Sequence, residues 1–212
     1  VLLVLPLVTL VLDTPWGSFW SELRSEPVRR ALGLSALTSL LTVLVCVVLN
    51  AAQTREVLFG AGGAAAHLRP GAVILSCATI APAEAREFAE AAAGRGLLYL
   101  DAPISGGAAK AAQGQLSIMA SGAAEAFAAA RPALEAMAAT VHELGAEPGA
   151  GSAMKAVNQL LAGVHIAAMA EGLTFGMTQG VTPEKFVEVI SKCAGTSWML
   201  ENRAPHIVAG DY

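Results

Sequence analysis

The feature that most constrains the fold is an alternation of short apolar runs with longer Ala-rich stretches, from about Leu41 to Gly145. The apolar runs have the composition of strands that are covered on both faces, and the stretches between them have helical spacing. Strands that alternate with helices in this way are typical of strand-helix-strand units. The sequence therefore predicts an α/β fold with a largely parallel sheet.

This alternation stops near Gly149, and the spacing is helical from there to Tyr212. Thr182 is a good N-cap and Pro183 suits a first helical position. The pattern predicts three helices, over 149–180, from Pro183 onward, and over 198–208.

Composition and charge exclude some classes of function. Hydrophobic residues make up 55% of the chain, and the formal net charge is −4 without any basic run, which argues against nucleic-acid binding. Cys46, Cys77 and Cys193 lie far apart and lack metal-ligand spacing, so we expect reduced thiols, no metal site and a cytoplasmic protein. The uncharged stretch 31–49 has nearly bilayer-spanning length, and a membrane tether therefore stands as an alternative to a buried strand preceded by a short helix.

The segment DAPISGG, residues 101–107, follows a predicted strand, at the end of a parallel sheet where ligands bind. Gly106 and Gly107 let backbone N–H groups point into one concavity that can hold a carboxylate, and the Ser105 hydroxyl adds a donor. An ordinary turn in which the glycines supply positive φ explains the same residues. The segment alone leaves both interpretations open.

A lysine and two carboxamides stand near the start of the long apolar helix. Lys155, Asn158 and Gln159 share one helical face because they are three and four residues apart. We expect the helix to be buried on most sides over 154–170, so that desolvation lowers the pKa of Lys155 and lets it exchange a proton with a substrate oxygen. A lysine with its stem on the surface and its ammonium in water is the alternative.

Other candidates carry weaker signals. Thr79 follows a strand predicted over 72–76 and could contact a cofactor, although caps and turns use threonine in the same way. His165 is interpreted as a hydrogen-bonded core residue. The GAGG run at 60–63 lies in or after a helix, whereas a dinucleotide loop follows a strand.

Taken together, three segments resemble the β-hydroxyacid dehydrogenase family in order and spacing, and LSCATIAP at 75–82 matches as well. They are DAPISGG, GAGSAMKAVNQLL at 149–161 and NRAPHIVAGDY at 202–212. The likeness covers roughly Leu41 to Tyr212. It implies an N-terminal Rossmann domain, a helical domain after it, NAD or NADP as cofactor, and assembly as a homodimer or homotetramer through the long helix.

The same resemblance implies roles for single residues. Lys155 would be the catalytic acid/base, and the substrate carboxylate would bind to Ser105, Gly106 and Gly107. Gln159 would help to bind the substrate with Asn158 close by, while Thr79 and Asn50 would contact the cofactor. Because Gln159 stands where many relatives carry a second Asn, the expected substrate is a four-carbon sugar acid such as L-threonate, or a compound like 3-hydroxyisobutyrate.

The resemblance also gives the expected domain organisation. The opening strand with its GxGxxG loop and a later helix with a Lys-Asp pair have no counterpart in this sequence, so we expect the chain to correspond to the middle of the family. Residues 1–40 are unassigned, 41–148 form an incomplete dinucleotide-binding domain, and 149–212 form a truncated helical domain for substrate binding and dimerisation. A catalytically inactive fragment that acts only as a helical dimerisation module is the alternative.

Overall fold

The structure, a computed structural model, describes residues 50–211. All of them belong to the second of two units into which the chain divides after Val48. The predicted strand before Asn50 and the uncharged stretch 31–49 lie outside the described residues.

Two small sheets, joined by one bridge, form the α/β part. In the first, β1 (Val73–Ser76) pairs in parallel with β2 (Leu98–Asp101). The second has the order β3 (Ile104–Ser105), β4 (Leu116–Ala120) and β5 (Ala138–Glu143), and β4 and β5 are parallel. An isolated bridge between Asp101 and Ser121 connects the end of β2 to the end of β4.

Helices separate and follow these strands as the sequence predicts. They are α1 (Ala51–Phe59), α2 (Pro82–Ala93), α3 (Gly107–Ala112), α4 (Ala124–Met137), α5 (Ala150–Thr178), α6 (Pro183–Ile190) and α7 (Trp198–Ala209), with a 3-10 turn over Ala64–His67. Thr182 caps α6 by accepting from the Lys185 N–H at 3.3 Å, which confirms the predicted start. The run at 60–63 follows α1, as expected.

The sequence did not predict β3 and α3. β3 lies within the DAPISGG segment, and α3 begins at its last residue. β3 pairs antiparallel with β4, so that Ile104 lies opposite Ile118 and Ser105 opposite Ser117. Residues 106–115 are too short a connection for a parallel crossover, which needs a dozen residues or more. The antiparallel direction follows from that short connection.

Both faces of β1 and β2 are covered. Ile74 and Tyr99 point to the face where Phe88 of α2 packs, whereas Leu100 packs with Phe127 on the face covered by α4. This double coverage explains why the strands read as continuous apolar runs.

A third cluster holds the last three helices together through Met169, Leu200 and Ala204. Beyond it, α5 is mostly exposed in this chain, so the expectation of burial on most sides is wrong. Phe186 and its neighbours cover only part of α5, and His165, expected in the core, is exposed as well. Apolar composition alone did not reveal which face the chain covers.

Among residues 50–211, one helix is long and apolar enough to cross a membrane, judged only by length and composition. It is α5, with a mean hydropathy of 1.4 over its most apolar window. Core helices of globular proteins have the same character, and the first turn of α5 is bonded to buried groups at the strand ends. The finding is therefore weak support for a membrane span.

Candidate functional site at the carboxyl edge of the sheet

The carboxyl ends of β1 and β2 lie side by side, because Ser76 is in register with Asp101. Thr79 follows β1 directly, and Asn50 precedes α1. Their neighbours Ala51 and Ile80 pack in one core cluster, which places both chain segments against the same part of the core. Such an edge of an open parallel sheet is where α/β proteins bind ligands.

Asn50 and Thr79 differ in how their side chains are used. The Asn50 side-chain oxygen accepts from the Gln53 N–H at 3.0 Å and caps α1. Thr79 is exposed, and its hydroxyl makes no hydrogen bond within residues 50–211. With respect to the described part of the chain, the Thr79 hydroxyl is thus available as donor and acceptor, whereas the oxygen of Asn50 already caps a helix.

The SGG segment runs from β3 into α3. Ser105 is half-buried opposite Ser117, and Gly107 is exposed. Gly106 has a φ of 141°, where a Cβ would meet the Lys110 Cβ at 3.0 Å. Only glycine fits this position without strain, so the backbone there has a fixed and unusual course.

The first turn of α5 is bonded to a buried carboxylate at the end of β2. Asp101 Oδ2 accepts from the N–H groups of Gly149 at 3.0 Å and Ser152 at 2.8 Å, and Oδ1 accepts from the Ser152 hydroxyl at 2.7 Å. The Ser121 hydroxyl accepts from the Gly151 N–H at 3.0 Å and lies 3.4 Å from Asp101 Oδ2. The side chains of Asp101, Ser121 and Ser152 are completely or almost completely buried.

Gly151 brings α5 into direct contact with the strands. A Cβ at this position would collide with the backbone oxygen of Met119 and would lie 2.9 Å from the backbone oxygen of Asp101. Any side chain would push the helix away from β2 and β4. The position of α5 therefore depends on this glycine.

Lys155 lies one turn beyond Gly151, on the same helical face. It is only 7% exposed, and its ammonium makes no hydrogen bond or ion pair within residues 50–211. Among the described residues, the side-chain polar atoms that are fully enclosed and have no partner are Ser76 Oγ and Tyr99 Oη. Lys155 Nζ is not one of them, so it keeps some contact with solvent. Burial of the stem lowers the pKa of Lys155, as the sequence predicts.

The two carboxamides lie one turn further along α5. Asn158 is half-buried, Gln159 is exposed, and the Asn158 amide donates to the Gln159 oxygen at 3.2 Å. No hydrogen bond connects either of them, or Lys155, to the segment 105–107. The predicted substrate residues therefore fall into two groups. Ser105, Gly106 and Gly107 lie beside β4, and Lys155, Asn158 and Gln159 lie on α5, whose start is bonded to the end of β2.

Sequence reasoning missed the anchoring groups Asp101, Ser121 and Ser152. Two local signals point to them: Asp101 opens the DAPISGG segment at a strand end, and Gly149 has no side chain to cap the helix that it begins. Ser121 has no such signal, because its bond to Gly151 spans thirty residues.

Other reactive groups in the described part give no second site. Cys77 is buried, and burial raises the pKa of its thiol to about 12, which makes it a poor nucleophile. Residues 50–211 contain no group of three or more His, Cys, Asp or Glu side chains that could hold a metal ion.

Two family models match the chain. One, described as the NAD binding domain of 6-phosphogluconate dehydrogenase, matches residues 20–145. The other, described as NAD-binding of NADP-dependent 3-hydroxyisobutyrate dehydrogenase, matches residues 149–212.

Curated proteins and solved structures also show similarity to hydroxy-acid dehydrogenases. L-threonate dehydrogenase of Cupriavidus necator is 52% identical over 170 residues, which is 80% of this chain and 57% of that protein. A crystal structure of 3-hydroxyisobutyrate dehydrogenase from Salmonella typhimurium has a TM-score of 0.74 and 47% identity, covering 78% of this chain and 57% of that one. A protein named Psf3, solved with NADP+ and 2-OPP, has a TM-score of 0.70 and 30% identity, covering 76% of this chain and 57% of that one. The chain thus spans 57% of the length of each of these three relatives.

Proposed function

This chain belongs to the 3-hydroxyisobutyrate dehydrogenase family, and from that premise we propose that it forms part of an NAD(P)-dependent oxidoreductase for a small hydroxy acid. The observation that carries the proposal is Lys155, a buried lysine with no partner within residues 50–211 and with access to solvent. A buried cation costs free energy unless it is paired, so it is retained where a ligand pairs with it. The substrate is such a ligand.

The carboxyl edge of the sheet fits a nicotinamide dinucleotide. Thr79 offers there a hydroxyl that no residue from 50 to 211 binds, and Asn50 opens a helix at the same part of the core. We assign both to cofactor binding, with the Asn50 side chain contributing its amide group, because its oxygen caps α1. A bound NAD(P)+ supplies the acceptor for the hydride.

The substrate occupies the space between the SGG segment and the face of α5 that carries Lys155. The backbone N–H groups of Gly106 and Gly107 and the Ser105 hydroxyl bind its carboxylate. Asn158 and Gln159 bind the hydroxyl groups beyond the reacting carbon. The neutral Lys155 amine accepts the proton of the hydroxyl group that is oxidised, while a hydride leaves the carbon that bears this hydroxyl for NAD(P)+.

The relatives support a proposal for the length of the substrate. Because an L-threonate dehydrogenase is 52% identical to this chain, we propose a four-carbon sugar acid such as L-threonate as the substrate. The exposed Gln159 gives the substrate pocket a second carboxamide besides Asn158, which suits an acid with several hydroxyl groups. We also propose a cytoplasmic location, where Cys77 and Cys193 stay reduced.

Cofactor binding tests this proposal directly. Titration of the chain with NADH and with NADPH should change the nicotinamide fluorescence in a saturable way, because the ring enters the protein from water. No change at millimolar concentrations of either cofactor would contradict the proposal.

The lowered pKa of Lys155 sets the expected pH dependence. Oxidation uses the neutral amine as a base, so its kcat/KM should rise with pH and level off above the pKa of Lys155. Reduction uses the ammonium as an acid, so its kcat/KM should fall over the same interval. The inflection should lie below 10.5, the ordinary value for lysine. If kcat/KM rose with pH for both oxidation and reduction, or fell with pH for both, the assignment would be contradicted.

We further propose that α5 joins two copies of the chain. Val157, Leu160, Leu161 and Val164 form an exposed apolar stripe on α5, and Leu160 is 66% exposed. Three- and four-residue spacing puts them on one face, as in helices that pair through their sides. The same stripe favours the second candidate function, a helical dimerisation module.

Leu160→Glu should convert the dimer to a monomer in light scattering coupled to size-exclusion chromatography, because it places a charge inside the apolar contact. Gln179→Glu adds the same charge at the exposed C-cap of α5 and should leave the dimer intact. A wild-type chain that is monomeric at high micromolar concentration would overturn this assignment.

A further inference from the structure

We propose that Asp101 is a positioning residue, which fixes the distance between the SGG segment and Lys155 by anchoring the first turn of α5 to the end of β2. The inference rests on the proposed function, because that proposal gives Lys155 and the SGG segment their roles. Asp101 itself is completely buried and does not reach the substrate.

The first turn of α5 needs an external cap. Its N-cap is Gly149, which has no side chain to accept from the N–H groups that a helix start leaves unpaired. Asp101 accepts from the N–H groups of Gly149 and Ser152, and Ser121 accepts from that of Gly151. A carboxylate from a distant strand thus performs the capping that a local side chain performs in most helices.

The carboxylate is itself held firmly. The Asp101 backbone exchanges two hydrogen bonds with Ser121, of 3.0 and 2.8 Å. The bonds from the N–H groups to the Asp101 carboxylate are charge-assisted, and because the side chain is closed off from water they are not screened by solvent. The end of β2 and the start of α5 therefore move as one unit.

This unit connects the two halves of the proposed substrate site. Ser105 lies four residues after Asp101, along a segment whose Pro103 carbonyl accepts from the Met119 N–H at 3.0 Å. On the other side, Lys155 lies three residues after Ser152, about one helical turn from the anchored end. Asp101 thus leads through its backbone to the SGG segment and binds through its side chain the helix that carries Lys155.

Trace acetylation of lysines, measured peptide by peptide with mass spectrometry on the full 212-residue chain, tests this inference. Asp101→Asn keeps the shape of the side chain but removes its charge and one acceptor oxygen. We expect Lys155 to be acetylated about tenfold faster relative to the exposed Lys110 and Lys192, because a lost charge-assisted bond releases the helix start. Amide exchange should speed up over 149–155 and stay unchanged in α4.

A second variant keeps the test decisive if Asp101→Asn does not fold. Ser152→Ala removes one hydroxyl bond to Asp101 and should raise the relative acetylation of Lys155 about threefold. Thr174→Ala removes a hydroxyl bond to the Ala170 carbonyl on the same helix, at its exposed part, and should change nothing at Lys155. Unchanged Lys155 labelling in a folded variant would overturn the inference, as would equal acceleration at all lysines.

Turnover separates this inference from the proposed function. Asp101→Asn should lower kcat, while the NADH dissociation constant from fluorescence stays unchanged, since Lys155 moves but the cofactor residues do not. If Lys155→Ala retains turnover, the proposed function fails whatever the labelling shows. If labelling at Lys155 is insensitive to Asp101, the positioning role fails and Lys155 can still be the acid/base.

Discussion

Lys155→Ala should lower kcat for hydroxy-acid oxidation by about 10²–10⁴-fold, the usual contribution of a positioned acid or base. The variant loses the amine that accepts the hydroxyl proton, but it keeps the cofactor residues, which lie on other elements. NADH binding measured by fluorescence should therefore stay close to that of the wild-type chain. The fold should also persist, because the substitution removes a buried cation without a partner within residues 50–211.

Lys192→Ala is the matched control for this prediction, since Lys192 is exposed and lies beyond α6. It should leave both kcat and cofactor binding unchanged. Turnover of Lys155→Ala at the wild-type rate would exclude Lys155 as the acid/base. A simultaneous loss of NADH binding would show that the lysine acts on the cofactor instead of on the substrate.

Gly151→Val should destabilise the chain by roughly 1–3 kcal/mol and disturb the site, because the new side chain overpacks the contact between α5 and the sheet. Its Cβ would meet the backbone oxygens of Met119 and Asp101, which cannot swing away as the tip of a side chain can. The helix start would have to shift, and the bonds from Gly149 and Ser152 to Asp101 would lengthen. Urea denaturation followed by circular dichroism gives the change in the free energy of unfolding.

Gly163 offers a control on the same helix, because a Cβ there meets no atom within 4 Å. Gly163→Ala should stabilise the chain by about 0.5–1 kcal/mol, the difference in helix propensity between the two residues. Equal effects of Gly151→Val and Gly163→Ala would contradict the close approach of α5 to β2 and β4.

Local patterns predicted most of the elements that the structure describes. The start of α6 at Thr182 and Pro183 was readable because a cap and a proline act within one turn. The depressed pKa of Lys155 was also predicted correctly in direction. β3 was not predicted, because Ile104 and Ser105 are too few residues to show an alternation.

The anchoring of α5 was beyond the reach of periodicity. Asp101 bonds to residues 48 and 51 positions away, and no spacing pattern along the sequence pairs residues so far apart. The exposure of α5 was mispredicted for a related reason. Leu160 and Val164 are exposed in this chain. Their apolar character does not tell whether the same chain, a second copy or solvent contacts them.

The proposed site residues differ in how strongly their surroundings point to a ligand. Lys155 is buried and its pKa is lowered, in contrast to an ordinary surface lysine. Asn50, by contrast, has a local structural role as the cap of α1, which explains its presence without a cofactor. The support for the SGG segment is intermediate. The φ of Gly106 requires glycine, but an ordinary turn with positive φ would also explain a glycine there.

The most direct test of the central claim is the formation of reduced nicotinamide by the wild-type chain, followed by absorbance with L-threonate and either NAD+ or NADP+. We expect formation that depends on the hydroxy acid, saturates with it, and disappears in Lys155→Ala. A chain that binds neither cofactor and reduces neither in the presence of L-threonate or 3-hydroxyisobutyrate would contradict the claim.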